Sequence, residues 1–430
     1  MKIKYNYRIT ACYMIIFILS FYAGMVSVNF KWIASLENKF RTFFHNAAIK
    51  SSTDYKIVIV GIDDSSFQAI KTEAALAAYK NFIWPWPQGF HADFLEKLAQ
   101  TGVSCVGFGI PFPESFEKTY LPEYCSPKKL ISMKKKYEIP VVLASRDNAG
   151  NITRPPDAYL QNGFMQGFTN ITDAAFSGAL KYNFMQKNGD SFALAVARCN
   201  NGDAELIRNG WTRDNLKKWR FMTFKNSQGL SFPIISYSDV LLDRVPKDIQ
   251  MIWGKKTLKE LLNQKTALIG LTSSGADDMI STPAGRMHEI EFHANALSML
   301  YNSETKALAE TGPRAQIFLT TAALVAGLLI ISFFSGFAFC AMAGFLFCAI
   351  YISLAALIFS VYSFIIPVAN ILFAHLMFIA FSKAMAAAIE RKGKMFLRGA
   401  FGKYVSPDVA GLMLENPELI SLGGVRKEIS

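Results

Sequence analysis

The sequence predicts a mixed α/β sandwich domain tied to a membrane by an α-helical anchor of four transmembrane helices. Three observations carry this. Residues 315–382 form an uncharged run of 68 residues, about three times the ~20 apolar residues that cross a bilayer. A second uncharged run, residues 9–28, follows a basic start. Between the two lie apolar segments that alternate between strand and helix patterns.

The run at 9–28 is longer than the apolar core of a usual signal peptide and has no small-residue pair before a plausible cut, which predicts a retained first span. In the long run, Ser335 and Gly336, and then Ser360 to Ser363, are the breaks. They divide it into spans at 315–334, 337–359 and 363–382, joined too closely for anything but a tight up-down-up bundle. Four spans put both ends on one side. Lys2, Lys4 and Arg8 at one end, and Lys383, Arg391, Lys392, Lys394, Arg398 and Lys403 at the other, make that side the cytoplasm. Residues 1–8 and 383–430 are therefore expected inside, 29–312 outside, with membrane lipid as a partner.

Hydrophobic content of 51% and a mean hydropathy of +0.22 are too high for an ordinary cytosolic enzyme. The net charge of +12 sits largely beside the spans, which argues against nucleic acid as a partner. Of six cysteines, Cys12, Cys340 and Cys348 lie in apolar spans and Cys105, Cys125 and Cys199 outside them. There is no CxxC or Cys/His zinc spacing, at most one disulfide is possible, and Cys105 is expected to be a plain buried thiol.

Along the exported segment, residues 57–62 are a continuous apolar run rich in β-branched residues, the pattern of a strand buried on both faces, closed by Asp63 and Asp64. A helix is expected from Ser65 or Ser66. Phe94, Leu95, Leu98 and Ala99 recur at helical spacing, Gly102 supplies a C-cap, and 103–108 returns to strand pattern. Further strands are predicted at 141–144, 206–207, 221–224 and 266–271, and helices at 191–198, 236–242 and 290–300. This alternation is that of a three-layer α/β sandwich.

Few residues offer chemistry. His288 and His293 resemble a zinc-protease pair, but HExxH needs its second His where Phe292 stands. Gly254, Lys255, Lys256 and Thr257 lack the upstream glycine of a phosphate loop. Asp63 and Asp64 after one strand, and Asp277 and Asp278 after another, are candidates for one sheet edge, where α/β proteins place ligands; the competing role is capping of turns and helix starts. Trp84 and Trp86, in WPWP, either present aromatic faces to a ligand or form a rigid packed connection. Asn370 and His375 in the last span are expected to hydrogen-bond between helices, since no carboxylate is there to complete a proton path. A small transporter is disfavoured for the same reason.

The run IVIVGIDDSS at 57–66, then WPWP at 84–87 with His91, Phe94, Leu95 and Leu98, resembles the opening of the second-type CHASE sensor domain. SFALAVAR at 191–198, KTALIGLT at 265–272, Asp277 or Asp278 before Thr282 and Pro283, and EFHANAL at 291–297 extend the resemblance over residues 30–305. Two positions depart from that family: Gly109 replaces an Asp, and His288 and Glu289 replace a Pro-Gly. The resemblance implies an extracytoplasmic sensor with an unknown ligand, in a bacterial inner membrane, joined through three spans to a cytoplasmic cyclase, histidine kinase or protein kinase. The candidate sensor site is Asp63, Asp64, Trp84, Trp86, Asp277, Asp278 and His293.

After residue 382 the chain turns basic and helical, with a strong helix start at Ser406, Pro407 and Asp408. FGKYVSPDV at 401–409, NPEL at 416–419 and LGGVRKEI at 422–429 are similar to the lead-in of class III adenylate and guanylate cyclases. The resemblance implies the sensor and transducer part of a receptor-type cyclase, its catalytic core absent from this chain. The chain alone is then expected to be inactive and to hold no cofactor, magnesium or manganese belonging to the missing catalytic domain. Because class III sites form between two protomers, a homodimer is implied. The candidate signal linker is Gly399, Gly402, Tyr404, Ser406 and Pro407. It is no convincing coiled coil: Met385, Ile389 and Phe396 give a broken seam, and each glycine costs about 1 kcal/mol against Ala in a helix. The competing class is a stand-alone, non-catalytic membrane sensor or binding protein of the CHASE family.

Overall fold

In the computed structural model, strand β1 (Ile57–Ile62) is buried at every position, as a run with no polar face requires. The structure describes residues 2–48, 54, 56–112, 126–148, 150–171, 181–217, 220–222, 231–275, 278–282, 284–302, 309–334, 336–362 and 364–401. The chain forms two units. One is residues 38–310 with 356–366; the other joins 1–37, 311–355 and 367–430.

The chain opens with α1 (Lys2–Val26), a short turn Ser27–Asn29, and α2 (Lys31–Ala48). After β1 come α3 (Asp64–Thr72), α4 (Gln88–Gln100), β2 (Cys105–Phe108), α5 (Lys128–Tyr137), β3 (Val141–Asn148), β4 (Asn151–Thr153), α6 (Asp157–Gln161) and β5 (Met165–Phe168). Short pairs follow, β6 (Lys181–Tyr182) with β9 (Arg220–Phe221) and β7 (Met185–Gln186) with β8 (Gly189–Asp190). Helix α7 (Phe192–Arg208) and α8 (Arg213–Leu216) lie between them; then come β10 (Ile234–Ser236), α9 (Tyr237–Leu241), α10 (Lys247–Trp253), α11 (Leu258–Leu262) and β11 (Thr266–Leu271). A hairpin of β12 (Met279–Thr282) and β13 (Gly285–His288) leads into α12 (Glu289–Tyr301).

The main sheet has seven strands in the order β10-β1-β11-β2-β3-β4, with β5 also paired to β3. Every pair is parallel except β3 with β4. Period-2 alternation sends Val58, Val60 and Ile62 into one core with α3, α4, α5, α6, α9, α10 and α11, and Ile57 and Ile59 into the other with α7 and α12. Both faces are thus covered, as a three-layer α/β sandwich demands. The backbone of β11 lies so close to α12 that a Cβ on Gly270 would stand 2.4 Å from Ile290 Cβ. Cys105 is a fully buried free thiol. Cys125 and residues 223–224 lie outside the described residues.

The strand expected at 206–207 is corrected: both residues are in α7, which turns at Gly202 (φ 71°). An apolar pair is too short to carry a period.

Among the described residues three helices are long and apolar enough to cross a membrane: α13 (Pro313–Phe333), α14 (Phe337–Tyr362) and the first part, Ala369–Phe396, of α15 (Ala369–Phe401). Residues 10–26 and 31–44, in α1 and α2, meet the same test only as a pair bent by 72°. The last of these helices begins at Ala369, inside the span expected at 363–382. Pro367 biases the residue before it away from helix, and Phe364–Ile365 (β15) pairs with Ala309–Glu310 (β14) instead. Helix α15 also continues without a break to Phe401, through Gly393 and Gly399.

Within the helical unit α1, α13 and α15 meet around Leu324, Ala374 and Phe378, with Phe17 edge-on to Phe378 at 5.8 Å. A Cβ on Gly24 would stand 2.6 Å from Ala374 Cβ, so small residues set this approach. His375 Nδ1 lies 2.8 Å from the Ala323 carbonyl oxygen of α13, the interhelical bond expected, and its ring stacks on Phe347. Asn370 Oδ1 is buried with no hydrogen-bond partner among the described residues.

Candidate functional site

The strands of a parallel sheet all end on one edge, and a crevice opens there where successive connections leave toward opposite faces. Here β1 and β2 are followed by helices on one face, while β11 between them and β5 are followed by α12 and α7 on the other. One set of polar residues of the α/β unit lies along this edge.

At the β10 and β1 ends, Asp63 caps α3: its Oδ1 accepts from the Ser66 backbone N–H at 2.8 Å and from the Ser66 hydroxyl at 2.6 Å. The Ser65 and Ser236 hydroxyls donate to the same oxygen at 2.9 and 2.8 Å. Asp63 is thereby the hub that joins the ends of two neighbouring strands. Asp64 reaches across to the loop after β11, accepting from the Ser274 hydroxyl at 2.6 Å and its backbone N–H at 3.2 Å. Those two bonds hold its carboxyl below the usual range.

At the β3 and β5 ends, Arg146 donates to Glu289 at 2.6 Å. Glu289 opens α12, where a carboxylate suits the helix dipole, and its Oε1 lies 3.6 Å from His293 Nε2, one helical turn on. Burial acts to raise the Glu289 carboxyl, but His293 and Arg146 together outweigh it, so it titrates below the usual range. His293 is fully buried, with Nδ1 2.8 Å from the Tyr182 hydroxyl, and Nε2 makes no hydrogen bond among the described residues. Beside them, the Asp147 backbone N–H donates to Asn170 Oδ1 at 2.7 Å, and Asn188 donates to Asp147 Oδ2 at 2.5 Å. Asp278 pairs with His288 Nδ1 at 3.3 Å, which raises the His288 pKa. Burial pushes the neighbouring Glu291 carboxyl up.

The expected residues therefore divide. Asp63 and Asp64 lie on the carboxyl edge, and His293 lies one turn along the helix whose first residue, Glu289, meets Arg146 there. Among the described residues no hydrogen bond or ion pair joins Asp63 or Asp64 to Asp278; Asp277 lies outside the described residues. Trp86 is buried among Phe67, Phe90 and Tyr237, with Trp84 edge-on to it at 5.3 Å. Trp86 thus packs into the core, while Trp84 is half-buried at its margin. Gly399 falls inside α15, while Gly402, Tyr404, Ser406 and Pro407 lie outside the described residues.

Sequence reasoning missed Arg146, Ser236 and Ser274 at this edge, and used Glu289 only as a departure from a motif. The available signal was the switch in β3 from five buried residues to the exposed Arg146, which marks a strand leaving the sheet. Among the described residues no group of three or more His, Cys, Asp or Glu side chains is placed to hold a metal. The edge offers hydroxyls, amides and one half-exposed guanidinium, a set suited to binding.

The α/β sandwich thus has a polar carboxyl edge, and among the described residues three helices are long and apolar enough to cross a membrane. A family model, the CHASE2 domain, matches residues 13–336, three quarters of the chain, and the chain belongs to the CHASE2 family. CHASE2 is an extracellular sensor domain, which gives the α/β unit an extracytoplasmic sensor role. No curated protein and no solved structure matches the chain.

Proposed function

We propose that this chain is the sensor and transducer part of a receptor-type class III adenylate or guanylate cyclase of the bacterial inner membrane. Residues 9–28 form a fourth span, residues 29–312 lie outside, and the segment after residue 382 lies in the cytoplasm. The observation that carries this reading is α15. It runs as one helix from Ala369 through the apolar segment, past Lys383, Arg391, Lys392, Lys394 and Arg398, to Phe401, where the cyclase-like run FGKYVSPDV begins. A continuous helix passes a shift at its outer end to its inner end without a joint, and a catalytic site shared by two protomers responds to such a shift. The chain works as a homodimer, and its unknown ligand is bound at the carboxyl edge of the sheet, where Asp63, Asp64, Arg146 and Glu289 lie.

Phosphoryl transfer depends on metal positioning and charge stabilisation, and the cyclase-like runs match only the lead-in to such a site. The purified chain should therefore form no cyclic nucleotide from ATP or GTP with magnesium or manganese. Fused after Ser430 to a class III catalytic domain, it should give an enzyme whose activity changes on deletion of residues 30–305 and on replacing Gly399 and Gly402 with Ala. Product from the chain alone, or a fusion indifferent to both changes, would refute the reading.

A further inference from the structure

Helix α2 carries a stripe that the described residues cover only in part, with Trp32 edge-on to Phe373 at 5.5 Å. Trp32, Leu36, Lys39 and Phe43 recur at i, i+4, i+7 and i+11, the spacing of one helix face. Trp32, Leu36 and Phe43 are 59%, 40% and 60% exposed. The adjacent face is in use: Ile33 and Phe44 are buried, and Phe44 packs on Phe359.

We propose that α2 lies along the outer membrane interface with this stripe set into phospholipid. The inference rests on the four-span reading above, not on the nature of the output domain. A helix that leaves a span at 72° runs close to the membrane plane. The exposed Ile15, Ile18, Leu19 and Tyr22 of α1 lead through Phe30 to Trp32, so the stripe continues a surface already suited to lipid. Level is fixed by Glu37, whose Oε2 accepts from the backbone N–H groups of Val368 and Ala369 at 2.9 and 2.7 Å. Those groups open α15, whose apolar part starts at Ala369, so α2 sits where a span begins. Trp belongs at that depth. Lys39 can lay its stem on the apolar stripe and raise its ammonium to anionic headgroups, as amphipathic interfacial helices do. A second copy of the chain is the rival occupant.

The test uses the full chain in liposomes of phosphatidylethanolamine and phosphatidylglycerol, with photoreactive p-benzoylphenylalanine replacing Ile18, Leu36 or Phe43 in turn. After irradiation, mass spectrometry should find the mass of one phospholipid added at all three positions. Lipid at Ile18 with chain-to-chain adducts, or no adduct, at Leu36 and Phe43 would overturn the proposal and leave the first span standing. Absence of lipid at Ile18 would remove the first span, and the proposal with it.

Discussion

His91 should make the α/β unit sensitive to mild acid. Its ring is buried among Trp86, Phe90, Phe108 and Phe112, with Nδ1 2.9 Å from the Tyr237 hydroxyl. Burial lowers its pKa from 6.5 to about 3. The neutral ring's contribution is complete above the unfolded value and is lost as pH falls through it, because the unfolded chain then takes up a proton that the folded chain refuses. At pH about 5.5 the unfolded ring is roughly ten-elevenths protonated and the folded ring is not, so stability drops by about 1.4 kcal/mol relative to pH about 7.5. That figure follows from the unfolded value alone while the folded pKa stays well below 5.5. His288 has the opposite sign: Asp278 raises its pKa, so its contribution is present below the unfolded value and lost as pH rises through the folded one. The comparison is therefore wild type against His91→Asn, which keeps a polar group near the Nδ1 position but cannot titrate. Urea unfolding of the full chain in detergent, followed by tryptophan fluorescence at the two pH values, should show the variant's pH dependence smaller by about 1.4 kcal/mol. Equal dependence in both proteins would refute the reasoning.

Gly270→Ala should lower the unfolding midpoint, because its Cβ would meet Ile290 Cβ at 2.4 Å, an overpacking that costs about 1–3 kcal/mol; Gly275→Ala, where nothing lies within 4 Å, is the control that should change little. For topology, a thiol reagent that cannot cross membranes should label a cysteine engineered at Asn201 in sealed cells and spare one at Lys394. Equal labelling of the two would contradict a cytoplasmic C-terminal segment.

Much of the fold was legible because its signals are one-dimensional. Ile57–Ile62 and Thr266–Leu271 appear at the predicted bounds, since a strand buried on both faces announces itself as an uninterrupted apolar run. The helices at 191–198, 236–242 and 290–300 lie where expected, the first extended to Arg208. The last apolar helix starts at Ala369 rather than at 363, because lack of charge marks only what lipid tolerates, whereas Pro367 disfavours helix in the residue before it. The site was half legible. Asp63 and Asp64 show themselves by closing a strand, but Glu289 meets Arg146 across 143 residues of sequence, and no local pattern encodes that pairing. Helix α2 escaped notice because its apolar residues are interspersed with Glu37, Lys39 and Arg41, which read as ordinary surface until Ile33 and Phe44 are seen to be buried.

Helix α12 is the element able to carry a change from the carboxyl edge to the opposite end of the sheet. Its 13 residues make a rod about 20 Å long, close to the length of the strands it covers. At its first turn Glu289 holds Arg146 and faces His293. At its last, Ser298 and Asn302 donate to Asp54 Oδ2 at 2.6 and 2.9 Å, and Asp54 Oδ1 accepts from the Lys56 backbone N–H at the entry to β1. Asp54 is buried, so loss of these donors would leave its desolvated carboxylate less well satisfied, a penalty that keeps the joint closed. The chain entering β1 comes from α2, and the chain leaving α12 runs on to α13. A ligand that drew Arg146 away from Glu289 would free the first turn, and a rigid helix seated on Gly270 would pass the shift to Asp54. Glu289→Gln imitates that release. Amide hydrogen exchange should then quicken at Lys56 and Ile57 as well as near residue 289, while exchange in α4, packed on the other face of the sheet, stays unchanged. Faster exchange confined to the first turn of α12 would show that the helix does not transmit the change.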